Sequence, residues 1–112
     1  MPEITIRPAR GTVVVRAGGG VIAESPNAVT LFEDGYDPVH YIPRGDIGMA
    51  FLEASDHRTT CPHKGEAEYF HVIAKSGPIR NAGWSYAAPL EMMAEIAGHI
   101  AFDTDKVAVE LL

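Results

Sequence analysis

The chain of 112 residues has one cysteine, Cys61, so it cannot close an internal disulfide. The expectation is a reducing, cytoplasmic setting in which that thiol stays free. Long apolar runs are also missing. The longest are a few residues, against the roughly 20 that a helix needs to cross a bilayer, so no membrane partner and no lipid anchor is expected. The opening residues Met1-Pro2-Glu3-Ile4-Thr5-Ile6-Arg7 hold no basic stretch followed by an apolar one, and no secretory leader is expected there. Cations are scarce: Lys and Arg number 9 against 15 Asp and Glu, a formal net charge of −6. They are spread singly along the chain, whereas a duplex-binding surface needs them clustered. Nucleic acid is therefore not an expected partner. A locally positive pocket for a small anion stays compatible, because net charge does not fix the local field.

Several chemical signatures are absent too. There is no Gly-x-Ser-x-Gly elbow and no dinucleotide fingerprint. Gly18-Gly19-Gly20 precedes neither a helical pattern nor a Lys-Ser or Lys-Thr pair, so it reads as a turn rather than a phosphate loop. No pair of acidic residues stands out as a general acid/base couple. Arg44-Gly45-Asp46 matches an adhesion tripeptide, but nothing else suggests an extracellular protein and the match is set aside.

What is present is ordinary for an ordered globular chain: 46% hydrophobic and 21% charged residues, enough for one core and a single domain over residues 1–112. β-Branched runs at 13–16 and 21–24 flank the glycines and read as a hairpin. Further strands are expected at 28–33, with Val29, Leu31 and Glu33 on one face, and at 39–42, 66–74, 79–87, 100–102 and 106–111. Asp46 is placed to cap a short helix over 47–52. The strongest helical pattern covers 90–99, started by Pro89, with Leu90, Met93, Ile96 and Ala97 along one stripe. The sum is about eight short strands and one or two short helices, a mainly β (α+β) class.

Three constellations could carry chemistry. His57, Cys61, His63 and His71 lie close in sequence, but with a single thiolate and no Cys-x-x-Cys they do not form a zinc pattern. No metal and no cofactor is expected. Cys61 stands near His63 and Lys64, and cations activate a thiol. Neighbours along an extended chain point to opposite faces, however, so Cys61 is read as structural or pocket-lining rather than as a nucleophile. The third constellation is Tyr41, Arg44, Lys64, Tyr69, Trp84 and Tyr86: broad aromatic faces with polar tips, and cations able to fix an anion. Trp84 and Tyr86, two apart, share a strand face.

Tyr41-Ile42-Pro43-Arg44-Gly45-Asp46-Ile47, Thr60-Cys61-Pro62-His63-Lys64-Gly65-Glu66-Ala67-Glu68-Tyr69, Trp84-Ser85-Tyr86-Ala87-Ala88-Pro89 and Ile96-Ala97-Gly98-His99-Ile100-Ala101-Phe102 together resemble the bacterial family called domain of unknown function 427. The likeness runs from about Thr12 to Val109, and the segment around Cys61-Pro62 is its most specific part. The family is sometimes labelled nucleotidyltransferase-like, although no phosphate loop or metal-binding carboxylate pair supports that here. The resemblance implies a fold similar to the β-tent group, in which antiparallel sheets meet at an angle. Many members of that group hold zinc between paired Cys-x-x-Cys motifs, which this chain lacks, so zinc is not carried over. The family motif positions present are Arg44, Asp46, Cys61, Lys64, Gly65, Tyr69, Trp84, Tyr86 and Gly98, with His63 where an aromatic residue is common. Two functional readings follow. In the first, Tyr41, Arg44, Cys61, Lys64, Tyr69, Trp84 and Tyr86 build a pocket for a small anionic or amphipathic molecule, with or without catalysis. In the second, exposed aromatics mediate homo-oligomer formation or partner docking without catalysis.

Overall fold

β-Branched and aromatic runs punctuated by glycine and proline make strands, and here the described strands pair antiparallel throughout. A computed structural model describes residues 3–112. Its strands are β1 (Ile4–Pro8), β2 (Val13–Ala17), β3 (Gly20–Ser25), β4 (Val29–Glu33), β5 (Val39–Tyr41), β6 (Leu52–Cys61), β7 (Gly65–Ala74), β8 (Gly77–Ser85), β9 (Ile100–Phe102) and β10 (Ala108–Leu111). They form sheets of order β1-β4-β5, β10-β2-β3 and β6-β7-β8-β9. The fold class is mainly β. The 13–16/21–24 hairpin forms as expected, with Ala17 opposite Gly20 across the turn.

Two of the sheets are joined. Ile42, just beyond β5, exchanges both backbone hydrogen bonds with Ile100 of β9, each 2.9 Å. The order β1-β4-β5-β9-β8-β7-β6 is thus continuous, and the joined sheet curls over one of two cores. That inner core holds Leu31, Tyr41, Ala67, Tyr86, Met93, Ile96 and Ala101, with Trp84 and Tyr69 packed against it. The other face of β7, β8 and β9 carries Phe70, Ala82, Ile100 and Phe102 against Val13, Val15 and Ile22 of the third sheet. Period-two alternation decides this division: Tyr69 and Trp84 oppose each other on one face, Phe70 and Gly83 on the other. Each fully enclosed aliphatic side chain contributes about 1.5–3 kcal/mol, which is what holds the layers together.

The helical expectations are corrected. Residues 90–99 do not form an α-helix; Glu91–Ile96 is a 3-10 segment kinked at Met93. Only Met93 and Ile96 of the predicted stripe are buried, while Leu90 is 49% exposed. Two anchors three apart suit a period of 3.0 residues per turn rather than 3.6. The segment is pinned at both ends, by Leu90 N–H donating to the Lys64 carbonyl (2.9 Å) and Gly98 N–H donating to the Tyr86 carbonyl (3.0 Å). Nor does Asp46 cap a helix at 47–52. It lies inside the 3-10 turn Arg44–Asp46, and a second such turn, Met49–Phe51, follows. Its carboxylate instead accepts the Ser25 hydroxyl at 2.6 Å.

Candidate functional site

The site begins with a turn. Pro62 follows Cys61, where a fixed φ favours the second position of a β-turn. Lys64 N–H closes the turn onto the Cys61 carbonyl at 3.2 Å. Gly65 then takes φ +115°, a conformation that L side chains rarely adopt. The turn directs the Lys64 side chain inward, where the residue is only 9% exposed. Its ammonium donates to Glu33 Oε1 at 2.9 Å and lies 3.8 Å from the Cys61 sulfur. Glu33 is the last residue of β4 on the face shared with Val29 and Leu31, so the alternation of that strand delivers a carboxylate to the inner core.

Around this ion pair the curled sheet leaves a cleft of about 630 Å³. Of the seven residues expected from sequence, Tyr41, Cys61, Lys64, Tyr69, Trp84 and Tyr86 all line it. The Trp84 indole N–H donates to the Tyr41 hydroxyl at 3.4 Å. Tyr69 makes a 2.9 Å hydrogen bond with the Thr59 hydroxyl and stacks at a tilt on His57, ring centroids 4.6 Å apart. Burial pushes the Tyr41 phenol up to about 12 and raises that of Tyr86 further still. Near neutral pH both are uncharged hydrogen-bonding groups.

Arg44 is not in the cleft, and this corrects the expected convergence of two cations. Its Nε donates to the Gly98 carbonyl at 2.7 Å and its terminal nitrogen to Glu68 at 2.8 Å. The guanidinium carbon sits 5.4 Å from the Phe70 ring centroid. Glu68 and Phe70 alternate with Tyr69, so Arg44 lies on the opposite face of β7 from the cleft. The planar fork finds several acceptors there at once, and it staples the 43–46 turn to the sheet. The local positive spot expected from Arg44 and Lys64 together is thereby removed: one cation is elsewhere and the other is matched by Glu33.

Sequence reasoning missed Glu33, Tyr36, Asp37, His63, Asn81 and Asp103 as lining residues. For Glu33 a signal existed, an acid closing an apolar alternation. Asp37 and Asp103 sit in loops whose positions only the fold decides. Of the histidines considered as ligands, His57 is against Tyr69, and His71 Nδ1 accepts the Asn81 N–H at 3.0 Å. Among the described residues no three His, Cys, Asp or Glu side chains gather into a metal-binding group.

The family model for Domain of unknown function (DUF427) matches residues 5–112. The chain belongs to this family. No curated protein matches it at a significant level. Within this DUF427 chain, the residues carrying the family likeness divide by role. Cys61, Lys64, Tyr69, Trp84 and Tyr86 line the cleft. Arg44 and Asp46 hold the framework through Glu68, Gly98 and Ser25, and Gly65 permits the turn.

Proposed function

We propose that the cleft binds a small amphipathic molecule, with a flat apolar part against Tyr69, Trp84 and Tyr86 and a neutral or cationic polar end facing the acidic side. The observation that carries this reading is the lining itself. Aromatic walls from three strands enclose the Lys64–Glu33 pair, and Asp37 and Asp103 add carboxylates without further Lys or Arg. With Lys64 matched by Glu33, the remaining formal charge of the lining is negative, so an anion is disfavoured and a cation attracted. Aromatic faces add to the attraction for a cation. Trp84 stands half-buried inside a concavity rather than on a flat apolar patch, which supports ligand binding over docking of a macromolecular partner.

Trp84 is the sole tryptophan, so its fluorescence reports directly on the cleft. Phenethylamine, an aromatic amine, is expected to change that fluorescence saturably, and phenylacetate of similar shape to leave it unchanged. An equal response to both, or tighter binding of the carboxylate, would overturn the charge assignment. No response to either would overturn the binding reading for this ligand class.

A further inference from the structure

The outer face of the β1-β4-β5 sheet carries a second concavity, separate from the proposed ligand cleft. Along β1, Thr5 and Arg7 alternate with Ile4 and Ile6, which pack on the inner core. Along β4, Thr30 and Phe32 alternate with Leu31 and Glu33. The outward set, with Arg10, His40 and Leu111, lines a groove of about 470 Å³.

Its charge is unlike the rest of the molecule. In a chain of net charge −6, no acidic residue among the described ones lines this groove and two arginines do. The ion pairs among the described residues are Arg16–Glu110, Arg44–Glu68 and Lys64–Glu33. Arg7 and Arg10 take part in none of them. The same groove has apolar lining: Phe32 is 44% exposed and Leu111 46% exposed. Thr30, a residue only 4% exposed, lines the groove, and its hydroxyl is 2.8 Å from His40 Nδ1. Burial lowers the His40 pKa, which disfavours the charged ring. The shared hydrogen bond holds the imidazole beside the Thr30 hydroxyl, as a polar group among the groove's lining.

We infer that this groove is a second binding site, for a small amphipathic anion: a carboxylate or phosphate on a short apolar body. The guanidinium forks match the paired oxygens of either head group. Phe32 and Leu111 cover the body, and the absence of acids among the described lining residues leaves the anion unopposed. Unlike the inner cleft, where the one lysine is already paired, the groove offers cations that form no ion pair among the described residues.

The test is amide chemical-shift mapping of the ¹⁵N-labelled protein with phenyl phosphate and phenylacetate, with inorganic phosphate as the head group alone. The expected result is saturable perturbation centred on Thr5, Arg7, Thr30, Phe32 and His40 by at least one aromatic anion, with inorganic phosphate much weaker. The Arg7→Gln/Arg10→Gln variant, altered only at two exposed side chains, is expected to lose affinity at least tenfold while keeping its spectrum dispersed. Perturbations centred on Tyr69 and Trp84 would place the anion in the inner cleft and overturn the proposal. So would unchanged affinity in the double variant, inorganic phosphate binding as tightly as phenyl phosphate, or no saturable binding by either aromatic anion.

Discussion

Lys64 meets a partner thirty-one residues away in sequence, at the end of β4. Both side chains of the pair are nearly enclosed, 11% and 12% exposed. Removing one charge leaves the other poorly solvated, whereas removing both leaves neither stranded. Lys64→Met is therefore expected to destabilise the fold by about 3 kcal/mol. Adding Glu33→Leu should recover most of that loss, as read by urea denaturation. A double variant as unstable as the sum of the two singles would show that the pair contributes no coupling. Arg44 is a simpler case. Arg44→Ala removes bonds to Glu68 and the Gly98 carbonyl from a part-exposed side chain. It should cost about 1–2 kcal/mol and leave the phenethylamine affinity of the cleft unchanged. Lost binding in a folded Arg44→Ala protein would return Arg44 to the site.

Between residues 90 and 99 the elements departed furthest from expectation. If the predicted α-helical stripe were real, Leu90 would be a core residue alongside Ile96. In the 3-10 segment only Met93 and Ile96 enter the core, and Ile96 is fully enclosed. Ile96→Ala should cost about 3 kcal/mol, and Leu90→Ala well under 1 kcal/mol. Comparable losses would favour the helix. The sequence misleads here because tertiary anchors at the Lys64 and Tyr86 carbonyls set the path of the segment, and these are invisible to local periodicity. The strands that read clearly, β2, β3, β4 and β7, are those with β-branched runs or alternation. β6 was not legible because most of its side chains are exposed and polar, so nothing alternates. β1 was read only as an N-terminal stretch, and its pairing with β4 is long-range. At the site the aromatics were readable as a set from family likeness and strand spacing. The separation of Arg44 from Lys64 was not, because it depends on which face of β7 carries Glu68.

Across the whole molecule, one curled sheet divides two cores and leaves a cleft on its inner side. The groups buried there and on the outer face bound the pH range of stability. His40, whose pKa is lowered by burial, binds protons less readily folded than unfolded. Its contribution is present above the ordinary histidine value of 6.5 and is lost as pH falls below it. Tyr41, raised from 10.0 to about 12 by burial, behaves in the opposite sense. Its contribution is present below pH 10 and is lost as pH rises toward about 12. Urea midpoints should therefore decline on both sides of neutrality, and His40→Gln should shrink the acid limb. An acid limb identical in the variant would remove His40 from this account. The central claim is that the inner cleft, with its aromatic walls and its lysine already paired, takes an amphipathic molecule with a cationic or neutral head. The most direct measurement is intermolecular proton–proton contacts by NMR between phenethylamine and the protein. The account predicts contacts from the phenyl ring to Trp84 and Tyr69, with the methylene beside the ammonium nearest Asp37 or Asp103. Contacts confined to Phe32 and Leu111 on the outer face, or none at all under saturating ligand, would contradict it.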